Sequence, residues 1–435
     1  MLIYNASQLI ALTAEPQRGG DLGTLNIIPN GAVLCRGEKI AAVGDGEELR
    51  RAYPDEPTLD ASGQVVIPGF VDPHTHLVWA GDRAAEFELR LQGKSYLEIL
   101  AAGGGILSTV RATRLASLNT LIEQTRPRLA AMFRHGTTTA EAKTGYGLRL
   151  AAEVRMLQAL IALDKEGPLE LAFTFLGAHA IAPEFKDRPD EYTDLICSTM
   201  LPMLAEWWPQ HAHSKPFPFV DVFCETGAFD LAQSRRILET AQSYGFPVKI
   251  HSDEFDNLGG TRLAVELGAV SADHLVAASA EDIAALASSD TVGVALPCTP
   301  FGLGEAHYAP ARAILDAGGL LAIATDLNPG TAWCESMQFA IALACRYLRL
   351  TPAQAIAAAT INSAAAIGRA DTIGSLHPDK QADMLILNVP NYRHLGYRFG
   401  TNLVQTVIKK GIAYPVKPRE RVQSDDNSLW TDPGR

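Results

Sequence analysis

Two histidines separated by one residue, His74 and His76, follow the apolar run VVIPGFVDP. On an extended strand alternate side chains share a face, so both imidazoles point the same way. Two imidazoles side by side at the end of a buried strand can hold one divalent ion, and imidazole suits zinc or iron. An H-x-H pair completes no site by itself, so other segments must bring the remaining ligands. Several apolar runs end in residues able to do so: His179 closes LAFTFLGAH, Glu225 closes FVDVFCE, His251 and Glu254 lie in PVKIHSDE, His274 closes VSADH and Asp326 closes LLAIATD. Any one of these reads equally as a satisfied polar cap. Together they place His, Asp or Glu at six strand ends, which points to a metal-dependent site.

The elements that must position these residues alternate from about Gln64 to Asp326. Besides the runs just quoted there are TTTAEAKT from Thr137 and VGVALPC ending at Cys298, which makes eight strand candidates. Segments with helical spacing, such as LRLAAEVRMLQALIAL and SAEDIAALASS, lie between them. Repeated βα units of this number predict an α/β fold, a closed (β/α)8 barrel, whose active site lies at the C-terminal ends of the strands. The flanks have another character. GAVLCRGEKIAAVG near the start, and ADMLILN and LVQTVIKKGIAYPV near the end, read as short strands that need each other to form a stable sheet. The expected division is a composite β-sandwich from residues 1–67 and 374–416, a hydrolase barrel over 68–373, and a polar tail over 417–435.

Composition narrows the class. The chain has 435 residues, 47% of them apolar, which is enough for a large core and a smaller satellite domain. Six scattered cysteines without a C-x-x-C pair read as buried free thiols in a reducing cytoplasm. The opening MLIYNASQLIAL has no basic leader and is too polar-interrupted for a membrane span, so it reads as a strand. A formal charge of -12 argues against nucleic-acid or anionic-membrane partners. An anionic substrate must then be held by local positive charge.

PGFVDPHTH, HSDE, SADH and the final ATD resemble the amidohydrolase superfamily of metal-dependent hydrolases. FELRLQGKSYLEILAAGGGILSTVRATR, TTTAEAKTGYGL, FLGAHAI, FCETGAFD, GAVSADHL and ATDLNPGT are similar to the imidazolonepropionase family. The resemblance runs through the barrel and both flanks. It implies hydrolysis of 4-imidazolone-5-propanoate to N-formimidoyl-L-glutamate, a step of histidine breakdown. The expected enzyme is cytoplasmic and a homodimer, although no motif specifies the number of subunits.

The resemblance makes His74, His76, His251 and Asp326 the ligands of one Zn²⁺ or Fe³⁺ ion per chain. Three imidazoles and a carboxylate leave room for a water whose pKa zinc lowers to about 7, a nucleophile suited to a cyclic amide. The departing ring nitrogen needs a proton, for which Glu254, His274 and Asp326 are the candidates. Glu254 reads alternatively as a partner that holds His251. Arg83, in the loop after the first strand, can clamp a propionate through its guanidinium fork. The family likeness adds Tyr146 in TGYG, His179, Asn328, Gly330 and Thr331 as substrate contacts, with Glu254 beside them.

Other features carry less. AGGGIL, from Ala102 to Leu107, lacks the G-x-G-x-x-G spacing and reads as a loop. A second pair, His211 and His213 in WWPQHAHSKPFPF, ends no strand, so this insertion reads as a surface loop or interface to which Trp207 and Trp208 contribute. VDVFCE offers no lysine to bridge two metals, which favours one ion. The enzymatic rival is a one-metal deaminase of a nucleobase or cyclic amidine, against which Arg83, Tyr146 and the NPGT turn count. The non-enzymatic rival, a structural relative, is disfavoured by the retained ligands.

Overall fold

Eight short parallel strands make the frame: β1 (Phe70–Asp72), β2 (Thr137–Lys143), β3 (Glu170–Ala178), β4 (Phe219–Cys224), β5 (Lys249–Ser252), β6 (Ser271–His274), β7 (Val292–Ala295) and β8 (Leu321–Ile323). They come from a computed structural model that describes residues 1–94, 104–212 and 215–416. Each strand pairs with the next in chain order, as right-handed βα repeats require. The barrel closes just beyond the strands: Thr75 bridges Leu327, the His76 N–H donates to the Leu327 carbonyl at 2.8 Å, and the Asp326 N–H donates to the His74 carbonyl at 3.1 Å. The seam therefore joins the segment carrying the H-x-H pair to the one carrying Asp326.

Helices cover the strands where their sequences provide start signals. Leu231–Ser243 begins at a capping box of Asp230 and Gln233, and Ala280–Ala287 at one of Ser279 and Asp282. A Ser or Asp that accepts an otherwise orphaned N–H fixes where such a helix enters, and with it the length of the loop at the barrel mouth. One large apolar core runs between the strands and this outer layer.

Both chain ends contribute flanking sheets. A four-stranded sheet comes wholly from the N-terminal part, in the order Lys39–Asp45, Gly31–Arg36, Leu2–Ala6, Thr58–Asp60. A six-stranded sheet mixes the ends, setting Met384–Leu387 antiparallel to Val65–Pro68 and to Val404–Lys409. Ile3, Leu9, Val33, Val66, Met384 and Ile408 pack between the sheets. Joint burial of these faces explains why neither flank reads as stable alone.

Three expectations change. VVIPGFVDP is two strands, because Pro68 offers no N–H to prolong a ladder and a Cβ on Gly69 would sit 2.3 Å from Thr138 Oγ1; Val65–Pro68 joins the flanking sheet and only Phe70–Asp72 enters the barrel. VGVALPC does not reach Cys298 as a strand; β7 stops at Ala295, and Pro297 starts the helix Cys298–Leu303. The WWPQHAH insertion is not a surface loop up to His211 but the helix Leu201–His211, where Trp208 is core, its Nε1 donating to the Pro216 carbonyl, while half-buried Trp207 stacks on exposed His211. His213, Ala102, Gly103 and the tail over 417–435 lie outside the described residues. All six cysteines are free. Among the described residues no helix is long and apolar enough to cross a membrane.

Candidate functional site

Beyond Asp72 the chain leaves β1 and presents His74 and His76 on one side, as their spacing predicts. Thr75 between them is turned the other way and tied down: its N–H donates to Glu141 Oε2 at 3.2 Å and its hydroxyl to the Glu141 carbonyl at 2.5 Å. His74 Nε2 and His76 Nε2 each lie 3.5 Å from Asp326 Oδ1, and His251 Nε2 lies 3.3 Å from His76 Nε2. Thr299 donates to the other Asp326 oxygen, Oδ2, at 2.5 Å. Asp326 Oδ1 and His74 Nε2 are left buried without a hydrogen-bond partner. Buried polar atoms are nearly always paired, so unpaired nitrogen and oxygen donors converging on one point are what a metal ion needs.

Two overlapping triads have the ligand spacing of a metal site: His74, His76 and Asp326, and His74, His251 and His274. His274 thus stands close enough to rank among the possible ligands, which its sequence reading as a polarising group did not include. The backbone here is unusual. His274 and Asp326 take φ of 85° and 54°, left-handed values that cost a non-glycine residue and persist where the surroundings impose them.

Burial, then the Lys143 charge, pushes the His74 imidazolium well below its ordinary range; burial, then neighbouring histidines, does so for His76 and His274. His179 falls to about 3 through burial and His251. All four are neutral imidazoles at pH 7, the form that ligates. Burial raises Asp326 to about 6, against the Thr299 hydrogen bond that lowers it. Burial, then Asp326 and Glu225, raises the Glu254 carboxyl well above its ordinary value. Its Oε2 lies 3.6 Å from His274 Nε2.

The two histidine pairings below this cluster were not legible in advance. His74 Nδ1 lies 2.6 Å from Asp273 Oδ2, and His251 Nδ1 lies 2.9 Å from Asp221 Oδ2. Asp221, not Glu254, is therefore the partner of His251. Glu141, Lys143 and Lys249 complete a fully buried charged layer around these aspartates. A signal existed: Lys249 precedes His251 by two residues, and Glu141 precedes Lys143 likewise, so each pair faces the barrel interior together. Glu225, by contrast, accepts the N–H groups of Thr226, Phe255 and Asp256 and anchors a loop.

Toward the rim, His179 stacks on His76 at 4.7 Å and Tyr146 lies 5.3 Å from His179. The Tyr146 loop is shaped by buried Glu153, which accepts the N–H groups of Gly145, Gly147 and Leu148. Half-buried Arg83 ends the loop after β1; its Nε donates to Glu86 Oε2 at 2.8 Å. Its Nη1 rests against Gly330 so closely that a Cβ there would stand 2.3 Å away. Asn328 ties the turn together, accepting the Gly330 and Thr331 N–H groups at 2.8 Å and donating to the Asp326 carbonyl at 2.7 Å. The structure thus gathers His74, His76, His179, His251, His274, Asp326, Glu254 and Tyr146 at the mouth, with Arg83, Asn328, Gly330 and Thr331 beside it. His211 takes no part.

Residues 65–413 match the Amidohydrolase family, and residues 31–55 match the Imidazolonepropionase-like composite domain of bacteria. The imidazolonepropionase of Herpetosiphon aurantiacus is 54% identical over 94% of this chain and 96% of that protein. That of Chloroflexus aggregans is 49% identical over 94% and 97%. Among solved structures, a triazine hydrolase variant superposes with a TM-score of 0.74 at 17% identity, covering 98% of this chain and 96% of the other. Guanine deaminase from E. coli gives 0.70 at 16%, covering 95% and 98%. At such identities these two likenesses speak for the fold alone.

Proposed function

The chain belongs to the amidohydrolase family and, within it, to the imidazolonepropionases, and from that membership we propose how its barrel mouth works. The enzyme is a metal-dependent hydrolase that opens the cyclic amide of 4-imidazolone-5-propanoate to N-formimidoyl-L-glutamate, a step of histidine degradation. In this proposal His74, His76, His251 and Asp326 hold one Zn²⁺ or Fe³⁺ ion, and His274 stands next to them as polarising group. The observation that carries the reading is the convergence of His74 Nε2, His76 Nε2 and Asp326 Oδ1, two of them buried and unpaired. When bound, such an ion polarises a carbonyl and lowers the pKa of a water.

The remaining work falls to the side chains. Arg83 offers its Nη1 and Nη2 edge to the substrate propionate, because Glu86 occupies Nε. His179, stacked on His76, and Tyr146, tilted against it, line the ring pocket and keep water away from its flank. Glu254, facing His274 and holding its proton more tightly than a free carboxyl, can supply the proton that the departing ring nitrogen requires, while Asp326 can take one from the attacking water. A nucleobase deaminase shares much of this layout but has no use for a carboxylate clamp. The test follows loss of imidazolone propionate absorbance beside a panel of nucleobases and hydantoins. Turnover of imidazolone propionate alone is expected; turnover of a nucleobase with none of the imidazolone overturns the reading.

A further inference from the structure

Barrel interiors are ordinarily filled with Val, Ile and Leu, yet β2, β4, β5 and β6 send five charged side chains into this one. Glu141, Lys143, Asp221, Lys249 and Asp273 are all 0% exposed. Burying ions costs more than their mutual attraction readily returns, and apolar residues of similar volume often serve stability as well or better. Stability alone therefore does not account for the layer. Its geometry does.

Each aspartate splits its two oxygens between a local anchor and a shared task. Asp221 Oδ1 accepts the Val222 N–H at 2.8 Å, and Asp273 Oδ1 accepts the Ser271 hydroxyl at 2.6 Å. Oδ2 of each is left to face a histidine Nδ1, His251 for Asp221 and His74 for Asp273. Between these two oxygens stands one ammonium: Lys143 Nζ lies 2.7 Å from Asp221 Oδ2 and 3.7 Å from Asp273 Oδ2, and is itself fixed 2.6 Å from Glu141 Oε1. Lys249 closes the far side, 3.5 Å from Asp273 Oδ2, with its own anchor on the Pro73 carbonyl at 2.8 Å. Glu141 Oε2 in turn accepts the N–H of Thr75, the residue between the paired histidines. His76 has no carboxylate on Nδ1 and is steadied instead by stacking on His179.

We infer that Lys143 is a positioning residue for the metal centre: its single ammonium splints Asp221 and Asp273, which orient His251 and His74 so that both present Nε2 to the ion. The inference rests on the ligand assignment above and adds to it a coupling between two ligands on different strands. A carboxylate that accepts the outer N–H of a ligating histidine commonly carries 10- to 100-fold in metal affinity. Here two carboxylates that lie against histidine Nδ1 atoms both face Lys143, while Lys249 touches only Asp273 of the two, so Lys143 joins their contributions.

The test uses full-length protein stripped of metal and titrated with zinc against a competing chelator. D221N and D273N are each expected to weaken zinc binding about 10- to 100-fold. K143M is expected to weaken it at least as much as either, and to cost little more when added to the double variant, because nothing remains for it to act through. Far-UV circular dichroism and thermal midpoint separate this from unfolding. Should K143M fail to fold, the aspartate variants decide: coupled through Lys143, the double loses less than the product of the singles. Unchanged zinc affinity in K143M, or aspartate losses that multiply independently, overturns the inference. A wild-type chain that takes up no zinc overturns the ligand assignment, and the splint with it.

Discussion

The floor of the barrel mouth and its rim are built by opposite rules. On the floor, His74, His76, His251, His274 and Asp326 are at most 3% exposed, and strand ends, the barrel seam and buried carboxylates determine their positions together. On the rim, half-buried Arg83 holds one ion pair with Glu86 and leans on a glycine. On the proposed function, the floor does the chemistry that many substrates share and the rim chooses among them. A rigid floor suits a metal, whose ligands must be held to a fraction of an ångström. A rim of loop residues can be altered without disturbing it.

Breaking the floor has the largest consequence. H251A should lose the metal and all measurable turnover while the chain stays folded, as read by elemental analysis, assay and circular dichroism together. E254Q keeps size and hydrogen bonding but removes the acid; kcat should fall about 10²- to 10⁴-fold with metal content intact. Damage at the rim should divide differently. R83A should raise KM about 10- to 100-fold, the loss of a charge-assisted contact, and leave metal content unchanged. If R83A empties the metal site instead, floor and rim are not separate. G330A is the mildest: its Cβ must displace Arg83 Nη1, so KM should rise several-fold with kcat nearly constant, and R83A/G330A should be no worse than R83A alone.

Much of the floor was legible in the sequence because its polar residues sit at the ends of apolar runs, where period-two alternation and strand order place them; the choice of His74, His76, His251 and Asp326 as proposed ligands came from the family resemblance. The H-x-H pair, His251 and Asp326 meet as expected. The seam explains why His74, His76 and Asp326 meet although far apart in the chain: strands one and eight of a closed barrel are neighbours. What resisted reading was the layer beneath. Lys143, Asp221 and Asp273 look like ordinary strand polarity until the barrel closes, and only spatial pairing reveals which carboxylate serves which histidine. Glu254 as partner of His251 was a reasonable guess from proximity in sequence, but Asp221 occupies that place from the neighbouring strand. Strand limits misled where proline intervened, at Pro68 and Pro297, because apolar continuity says nothing about a missing N–H. The WWPQHAH segment read as a loop from its prolines and aromatics, whereas tertiary burial of Trp208 holds it in a helix.

The proposed division between a metal-holding floor and a substrate-choosing rim rests first on the metal. The most direct measurement is the metal content of the purified wild-type chain beside its rate of imidazolone propionate hydrolysis, before and after chelation. One zinc or iron per chain, with activity that disappears on removal and returns on addition, is the predicted result. A well-folded chain that turns over imidazolone propionate at full rate without any bound metal contradicts it.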